Sequence, residues 1–257
     1  MTGIVRDPFT ITPGTVQHGL RRVRAFSAVR LVVDSVAPLL VWAHAHFPQY
    51  FFHDGDIEVE LLPAGNGPRS KVLGPSELFD AVVDGVVHPK VAQRFPQAPV
   101  PAMREAFTLT WSAFDAWLEE DEPVYTHPRS PHVRVDALAS SRHIRVVVGG
   151  VVVAESARPV VLHETGLEPR YYLPRVDVRM DLLTPTATQT NCPYKGTATY
   201  WSLAVQGVEV PDAVWGYATP FPEASKIAGL VSFWYEKDED IELWVDGQRV
   251  GSHRSNP

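Results

Sequence analysis

The chain carries an internal repeat, and this feature limits the possible folds more than any other. Residues 48–62 align without gaps with residues 169–183, and the two segments share a Pro, a Tyr, an Asp and a closing Leu-Leu pair. The same kind of Val-rich, strand-like run precedes each copy. A unit repeated at this spacing predicts two related domains in tandem. We place them at residues 1–125 and 126–257, with the boundary in the Pro-rich stretch 123–131.

Short runs of Val, Ile and aromatic residues, separated by turn residues, predict antiparallel β-structure. Gly149-Gly150 lies between two Val-rich runs, and Asp246-Gly247 lies between residues that alternate apolar and polar. Both dipeptides suit the positive φ angles of a type I′ hairpin turn. The predicted fold class is therefore mainly β, with two tandem small antiparallel β domains, barrel- or tent-like sheets and one or two short helices.

Two short segments are predicted to be helical. Residues 76–83 have Ser76 as an N-cap and Gly85 after their end, and residues 222–227 have Pro and Glu in the first turn. Residues 103–118 also carry apolar side chains three and four apart, as in a buried helix face. Their correspondence to a strand-like part of the second domain favours strands there instead.

Composition excludes several classes of protein. No apolar run approaches the roughly 18 to 20 residues of a membrane-spanning helix, so no membrane partner is expected. The formal net charge of −7 argues against nucleic acid, which is bound by clustered Lys and Arg. The single cysteine can form no internal disulfide, and the first residues lack the apolar run of a signal peptide. We therefore expect a cytoplasmic protein, and the sequence leaves its oligomeric state open.

The densest cluster of polar and aromatic side chains lies in the second domain. It consists of residues 169–180, Thr190-Asn-Cys-Pro-Tyr-Lys-Gly196, Trp215-Gly-Tyr217 and Pro222-Glu223. In this order, these segments resemble the bacterial family called domain of unknown function 427, over about residues 140 to 250. The resemblance implies a compact, mainly β domain that often occurs in tandem, and a nucleotidyltransferase-like label that implies phosphate handling.

The first domain departs from the pattern of that family. No Cys-Pro-Tyr-Lys-Gly segment occurs between Leu62 and Ala106. We therefore expect the first domain to be a degenerate copy with a structural role, and we look for a site in the second.

Three cations of the second domain could bind an anion. Arg170 and Arg175 offer bidentate forks and Lys195 a point charge, which suit phosphate or carboxylate. The two arginines are five residues apart, so they share a face only if Leu173-Pro174 kinks the strand. The alternative is that both arginines form surface salt bridges, for instance to Asp177 and Asp181.

Two side chains of this cluster are candidate catalytic residues. Cys192 would be a nucleophile if Lys195 lowers its pKa, or else a small buried residue before a proline. Glu223 would be a general acid or base if Trp215 and Tyr217 desolvate it, or else a helix-capping carboxylate. The predicted ligand-binding residues are Arg170, Arg175, Asp177, Lys195, Trp215 and Tyr217.

The predicted function is to bind or act on a small anionic metabolite, such as a phosphorylated one, in a small polar pocket. A transferase-like enzyme would use Cys192 or Glu223. The alternative is a non-catalytic module that binds a ligand or a partner, or a scaffold. The chain has no phosphate-binding loop, dinucleotide-binding turn or nucleophile elbow, so no cofactor is expected. His44, His46, His53 and Asp54 match no strong metal-binding spacing, so no metal is expected.

Overall fold

The computed structural model describes residues 11–250. The chain folds into two compact units, Met1–Pro131 and His132–Pro257. The boundary between the units falls at the end of the Pro-rich stretch 123–131. The mainly β fold class is confirmed, because antiparallel sheets make up most of both units.

The first unit consists of antiparallel strands and short 3-10 segments. Its strands are β1 (Val16–His18), β2 (Val23–Ser27), β3 (Arg30–Ser35), β4 (Leu39–Val41), β5 (Gln49–His53), β6 (Glu60–Ser70), β7 (Gly74–Val83), β8 (Val86–Arg94), β9 (Ala106–Leu109), β10 (Ala116–Glu119) and β11 (Glu122–Pro123). They form a large sheet in the order β1-β4-β5-β9-β8-β7-β6 and a small sheet in the order β11-β10-β2-β3. The 3-10 segments are Asp54–Asp56, Pro101–Met103 and Trp111–Ala113.

The second unit is built in the same way. Its strands are β12 (Val135–Ala139), β13 (Ile144–Val148), β14 (Val151–Ser156), β15 (Val160–Glu164), β16 (Arg170–Tyr172), β17 (Leu183–Cys192), β18 (Gly196–Val205), β19 (Val208–Tyr217), β20 (Val231–Phe233), β21 (Ile241–Val245) and β22 (Gln248–Arg249). They form sheets in the orders β12-β15-β16, β17-β18-β19-β20 and β14-β13-β21-β22. The 3-10 segments are Arg175–Asp177, Met180–Leu182 and Pro222–Ile227.

The two units share their strand order. The small sheet β11-β10-β2-β3 corresponds to β22-β21-β13-β14, and the large sheet corresponds to the other two sheets of the second unit. Those two sheets meet at a bridge between Leu173 and Val231, at the place where β5 pairs with β9 in the first unit.

Individual hydrogen bonds repeat as well. The hydroxyl of Ser35 donates to Asp56 at 2.7 Å, and the hydroxyl of Ser156 donates to Asp177 at 2.8 Å. In both units the serine ends the third strand and the aspartate ends a 3-10 segment. The pairs thus hold corresponding loops against corresponding strands.

Each unit buries apolar side chains on both faces of its larger sheet. In the first unit, Leu40 and Phe52 belong to the main core cluster, while their neighbours Leu39 and Phe51 belong to a second cluster on the opposite face. This follows from the two-residue period of a strand. In the second unit, the opposite face is covered by the 3-10 segment Pro222–Ile227, which buries Ala224 and Ile227.

Both predicted hairpins are confirmed. Gly149 and Gly150 join β13 to β14 with φ angles of 55° and 79°, and Asp246 and Gly247 join β21 to β22 with 50° and 77°. The short helical segment at 222–227 is present as a 3-10 helix.

The helix predicted at residues 76–83 is wrong, because these residues form strand β7. This strand pairs with β6 on one side and β8 on the other, and Phe79, Ala81 and Val83 are buried alternately. Ser76 does not cap a helix, since its hydroxyl donates to the carbonyl oxygen of Pro68 at 2.8 Å. The strands favoured within residues 103–118 are present as β9 and β10.

None of the helices described in residues 11–250 has the length and apolar character needed to cross a membrane.

Candidate functional site

The turn between β17 and β18 presents the Cys-Pro-Tyr-Lys-Gly segment. Cys192 ends β17 and pairs with Gly196, and the backbone N–H of Lys195 donates to the carbonyl oxygen of Cys192 at 3.4 Å. Gly196 has a φ of 94°, in the left-handed region, and a Cβ there would lie 3.5 Å from the carbonyl oxygen of Thr219. The glycine therefore lets the turn close against the neighbouring loop, and the turn directs Lys195 toward β15.

Lys195 forms an ion pair with Glu164, the last residue of β15. Only 13% of the Lys195 side chain and 10% of the Glu164 side chain are exposed. Two opposite charges thus lie together at the edge of the sheet, largely withdrawn from water. The sequence did not single out Glu164, which is 31 residues from its partner along the chain.

Two buried tyrosines lie beside this ion pair. Burial raises the pKa of Tyr172 and of Tyr217, and the nearby Cys192 thiol and Glu164 carboxylate raise the pKa of both further. The indole N–H of Trp215 donates to the hydroxyl of Tyr172 at 3.0 Å. Within residues 11–250, the hydroxyl of Tyr217 has no hydrogen-bond partner, although only 5% of this residue is exposed. It is therefore available to a ligand.

Arg170 extends this cluster along β16. Its Nη1 donates to both carboxylate oxygens of Glu236, at 2.7 and 2.8 Å. Its guanidinium lies over the rings of Trp215 and Tyr235, 5.8 and 5.5 Å from their centroids. Arg170 therefore forms a salt bridge, as the alternative hypothesis expected, but its partner is Glu236 rather than Asp177 or Asp181.

Arg175 and Asp177 lie elsewhere in the unit. The guanidinium of Arg175 is 5.0 Å from the ring centroid of Trp201, which belongs to the main core cluster. Asp177 accepts hydrogen bonds from Arg158 and Ser156, and these bonds hold its pKa below the usual range. The kink after Tyr172 does not bring the two arginines together, because Arg175 begins a 3-10 segment that packs toward β14.

Glu223 does not meet the condition set for a general acid. It is exposed in the first turn of the Pro222–Ile227 segment, so Trp215 and Tyr217 do not desolvate it. Cys192 is half-buried at the end of β17. The structure therefore brings together Lys195, Cys192, Tyr217, Trp215 and Arg170 of the predicted residues, and leaves out Arg175, Asp177 and Glu223.

The corresponding place in the first unit is apolar. Strand register and turn position match Lys195 with Leu73, Glu164 with Ala43, Tyr172 with Phe51, and Tyr217 with Phe95. Leu73, Phe51 and Phe95 are buried in one cluster, and Ala43 packs against it. Each of these four apolar side chains thus has a polar counterpart in the second unit.

The part of the chain that the structure describes contains no group of three or more His, Cys, Asp or Glu side chains arranged to hold a metal ion.

The fold and this cluster define a mainly β protein whose second unit carries an ion pair lined by aromatic side chains. Residues 136–247 match the family model described as Domain of unknown function (DUF427). This span lies within the second unit and contains the whole ion-paired cluster. No curated protein matches the chain.

Proposed function

We propose that the protein binds a small anionic metabolite, and that the ion pair of Lys195 and Glu164 is the centre of the binding site. The observation that carries this proposal is the contrast between the units. The second unit has two charged side chains where the first packs Leu73 and Ala43.

Stability alone does not account for this ion pair. Withdrawing two charges from water is unfavourable, and replacing such a pair by apolar side chains of similar volume is often neutral or stabilising. The first unit demonstrates that this place in the fold accepts apolar side chains. The charges are therefore better explained by a ligand than by folding.

The class of ligand follows from the donors around the ion pair. The Lys195 ammonium has three N–H donors and can give one of them to a carboxylate or phosphate that takes the place of Glu164. The hydroxyl of Tyr217 offers a further hydrogen bond. Arg170 is already neutralised by Glu236, so the site suits a ligand with one anionic group rather than a polyphosphate.

The test is stabilisation by ligand, measured as the shift in melting temperature. Inorganic phosphate, glycerol 3-phosphate and malonate are the probes, with glycerol and potassium chloride at equal ionic strength as controls. A ligand at ten times its Kd should stabilise the unit by about 1.4 kcal/mol. The shift should persist in Arg175→Ala, whose side chain lies over Trp201, and disappear in Lys195→Leu/Glu164→Ala. An equal shift in both variants would contradict the proposal.

Cys192 supplies a second readout, since it is the single cysteine of the chain. Its thiol lies at the end of the turn that carries Lys195, so a bound ligand should slow its alkylation by iodoacetamide. The same ligand should not slow alkylation in the Lys195→Leu/Glu164→Ala variant. This comparison separates binding at the site from general stabilisation.

A catalytic role for Cys192 or Glu223 stays a prediction. If Cys192 is a nucleophile, Cys192→Ala should abolish turnover of a bound ligand and leave the melting-temperature shift unchanged. Glu223→Gln should have the same effect if Glu223 transfers a proton. Unchanged turnover in both variants would show that neither residue is required for catalysis.

We also propose that the two units are tandem copies, of which the first has lost the polar cluster. The shared strand order and the repeated Ser–Asp hydrogen bonds support this. A cytoplasmic location is proposed from the single cysteine. Fractionation of cells that express the tagged protein would test the location.

A further inference from the structure

The first unit contains a cavity of about 270 Å³. The sequence predicts only a structural role for this unit. The residues around the cavity include Phe47, Gln49, Gln93, Thr108, Trp111 and His127. Its volume is close to the lower end of the range for small-molecule sites, about 300 Å³, which suits a ligand of one or two rings.

The same place in the second unit is filled by an arginine. Strand register matches Gln49 with Arg170, and there a cavity of only about 10 Å³ remains. The planar guanidinium of Arg170 lies over two aromatic rings and donates to Glu236. This place in the fold thus accommodates a planar group with N–H donors, and in the first unit the shorter Gln49 leaves the space open.

Aromatic rings form the walls of the cavity. Trp111 stacks on Trp117 with ring centroids 4.6 Å apart and planes at 10°, and Phe47 stacks on His127 at 3.9 Å and 11°. Such flat apolar surfaces favour a planar ligand that stacks on them.

Polar groups on the lining can bind the edge of such a ring. Within residues 11–250, the side chains of Gln49 and Thr108 make no hydrogen bond, although Thr108 is buried. The carboxamide of Gln93 donates to Ser76 at 2.7 Å, and its carbonyl oxygen can still accept a hydrogen bond. A carboxamide presents a donor and an acceptor side by side and so matches an amide group in the ligand.

The charges around the cavity favour a neutral ligand. None of the described lining residues is Lys, Arg, Asp or Glu. The carboxylate of Glu119 accepts a hydrogen bond from the hydroxyl of the lining residue Tyr50 at 2.5 Å and pairs with Arg21. In the first unit, Ser112 occupies the position that corresponds to Glu236. This position therefore carries no carboxylate like the one that pairs with Arg170 in the second unit.

We propose that this cavity binds a neutral, planar nitrogen heterocycle with an amide-type edge. The ring stacks against Trp111, and its edge exchanges hydrogen bonds with Gln49, Gln93 and Thr108. This site lies wholly within the first unit and is independent of the function proposed for the second.

The test is direct titration of the full chain with uracil, adenine and nicotinamide, followed by tryptophan fluorescence and calorimetry. Benzoate serves as a planar but anionic control, and cyclohexanol as a neutral ring that cannot stack. At least one of the three heterocycles should bind saturably, and both controls should bind at least about tenfold more weakly.

Two variants locate the site. Gln49→Arg/Ser112→Glu introduces the arginine and carboxylate of the second unit and should abolish binding by filling the cavity. Thr108→Val keeps the shape of the side chain and removes the hydroxyl, so it should weaken binding by about threefold to tenfold while the fold is retained. Gln97→Arg, at an exposed position outside the cavity, should bind like the parent protein.

Three results would overturn the proposal. These are absence of binding by all three heterocycles, equal binding of benzoate, and undiminished binding by both folded cavity variants. If Gln49→Arg/Ser112→Glu fails to fold, Thr108→Val and Gln97→Arg still decide the outcome, because neither substitution disturbs a described hydrogen bond of its side chain. Loss of anion binding in the second unit would not affect this result.

Discussion

Replacing the ion pair of the second unit by the side chains of the first is the most informative perturbation. In Lys195→Leu, the carboxylate of Glu164 keeps its 10% exposure but loses the ammonium that compensates its charge. Leaving one member of a buried pair uncompensated costs about 3–5 kcal/mol, and the residual exposure places our expectation near the lower value, about 3 kcal/mol. For a unit of this size, that corresponds to a decrease in melting temperature of roughly 10 °C.

The double variant should behave differently. In Lys195→Leu/Glu164→Ala, neither charge of the ion pair is left, and Tyr172 and Tyr217 keep their aromatic contacts. We expect a free energy of unfolding within about 1 kcal/mol of the parent protein, since apolar replacement of a buried pair is often neutral. Glu164→Ala leaves the Lys195 ammonium uncompensated in the same way, so its cost is also about 3 kcal/mol. The coupling energy between the two substitutions is then about 5–7 kcal/mol in magnitude.

Urea unfolding at pH 7, with each single variant and the double variant, measures this cycle. The exposed pair of Arg179 and Asp181, with 55% and 61% exposure, is the matched control. Removing both of its charges should change stability by less than about 1 kcal/mol. A double variant of the buried pair that is as unstable as Lys195→Leu would refute the reasoning, because the pair would then be explained by stability and would no longer indicate a ligand.

Three further predictions concern the scaffold. Tyr50, Tyr172, Tyr217 and Tyr235 have a pKa raised by burial, to about 12 for Tyr235. In an absorbance titration at 295 nm these four should stay protonated as the pH passes 10 and ionise only near or after alkaline unfolding. Ionisation of all eight tyrosines of the chain near pH 10 in the folded protein would contradict this. Ser156→Ala and Ser35→Ala should each cost about 1–3 kcal/mol at pH 7 because each removes a hydrogen bond to a carboxylate. The loss in free energy of unfolding caused by Ser156→Ala should become smaller at low pH. Folding lowers the pKa of Asp177, so its carboxylate contributes stability above about pH 4 that is lost as the pH falls through the lowered pKa. A loss that stays constant down to pH 2.5 would be inconsistent with this explanation. Gly196→Ala and Gly74→Ala, at φ angles of 94° and 90°, should each cost about 1 kcal/mol or more in thermal unfolding, whereas Gly55→Ala, with open space around its Cα, should not.

Local turn chemistry made the hairpins predictable. Gly149-Gly150 and Asp246-Gly247 set the chain direction through their own backbone angles, whatever lies around them. The helix expected at residues 76–83 failed for the opposite reason. Its Ser76 cap and its end at Gly85 are local signals, and they were overridden by pairing with β6 and β8, strands that the local signals do not reveal.

The candidate site was predictable only in part. Lys195, Trp215 and Tyr217 stand out as unusual residues in a short motif. Glu164 does not, because the strand that carries it meets the turn of Lys195 only in the folded sheet. A buried lysine requires a compensating carboxylate nearby. The sequence does not identify which of the 30 acidic residues supplies this carboxylate.

By itself, the sequence determined the mainly β class, the hairpin turns and the residues of the motif, because each depends on backbone preference or on alternation over a few neighbouring residues. Tertiary structure alone decided which charges meet. It paired Arg170 with Glu236 and Lys195 with Glu164, took Arg175 away to Trp201, and left Glu223 in solvent. It also opened a cavity at Gln49 where Arg170 fills the corresponding space. Electrostatic pairing and cavity volume depend on strands distant in the chain, and their register is set by the packing of the whole unit.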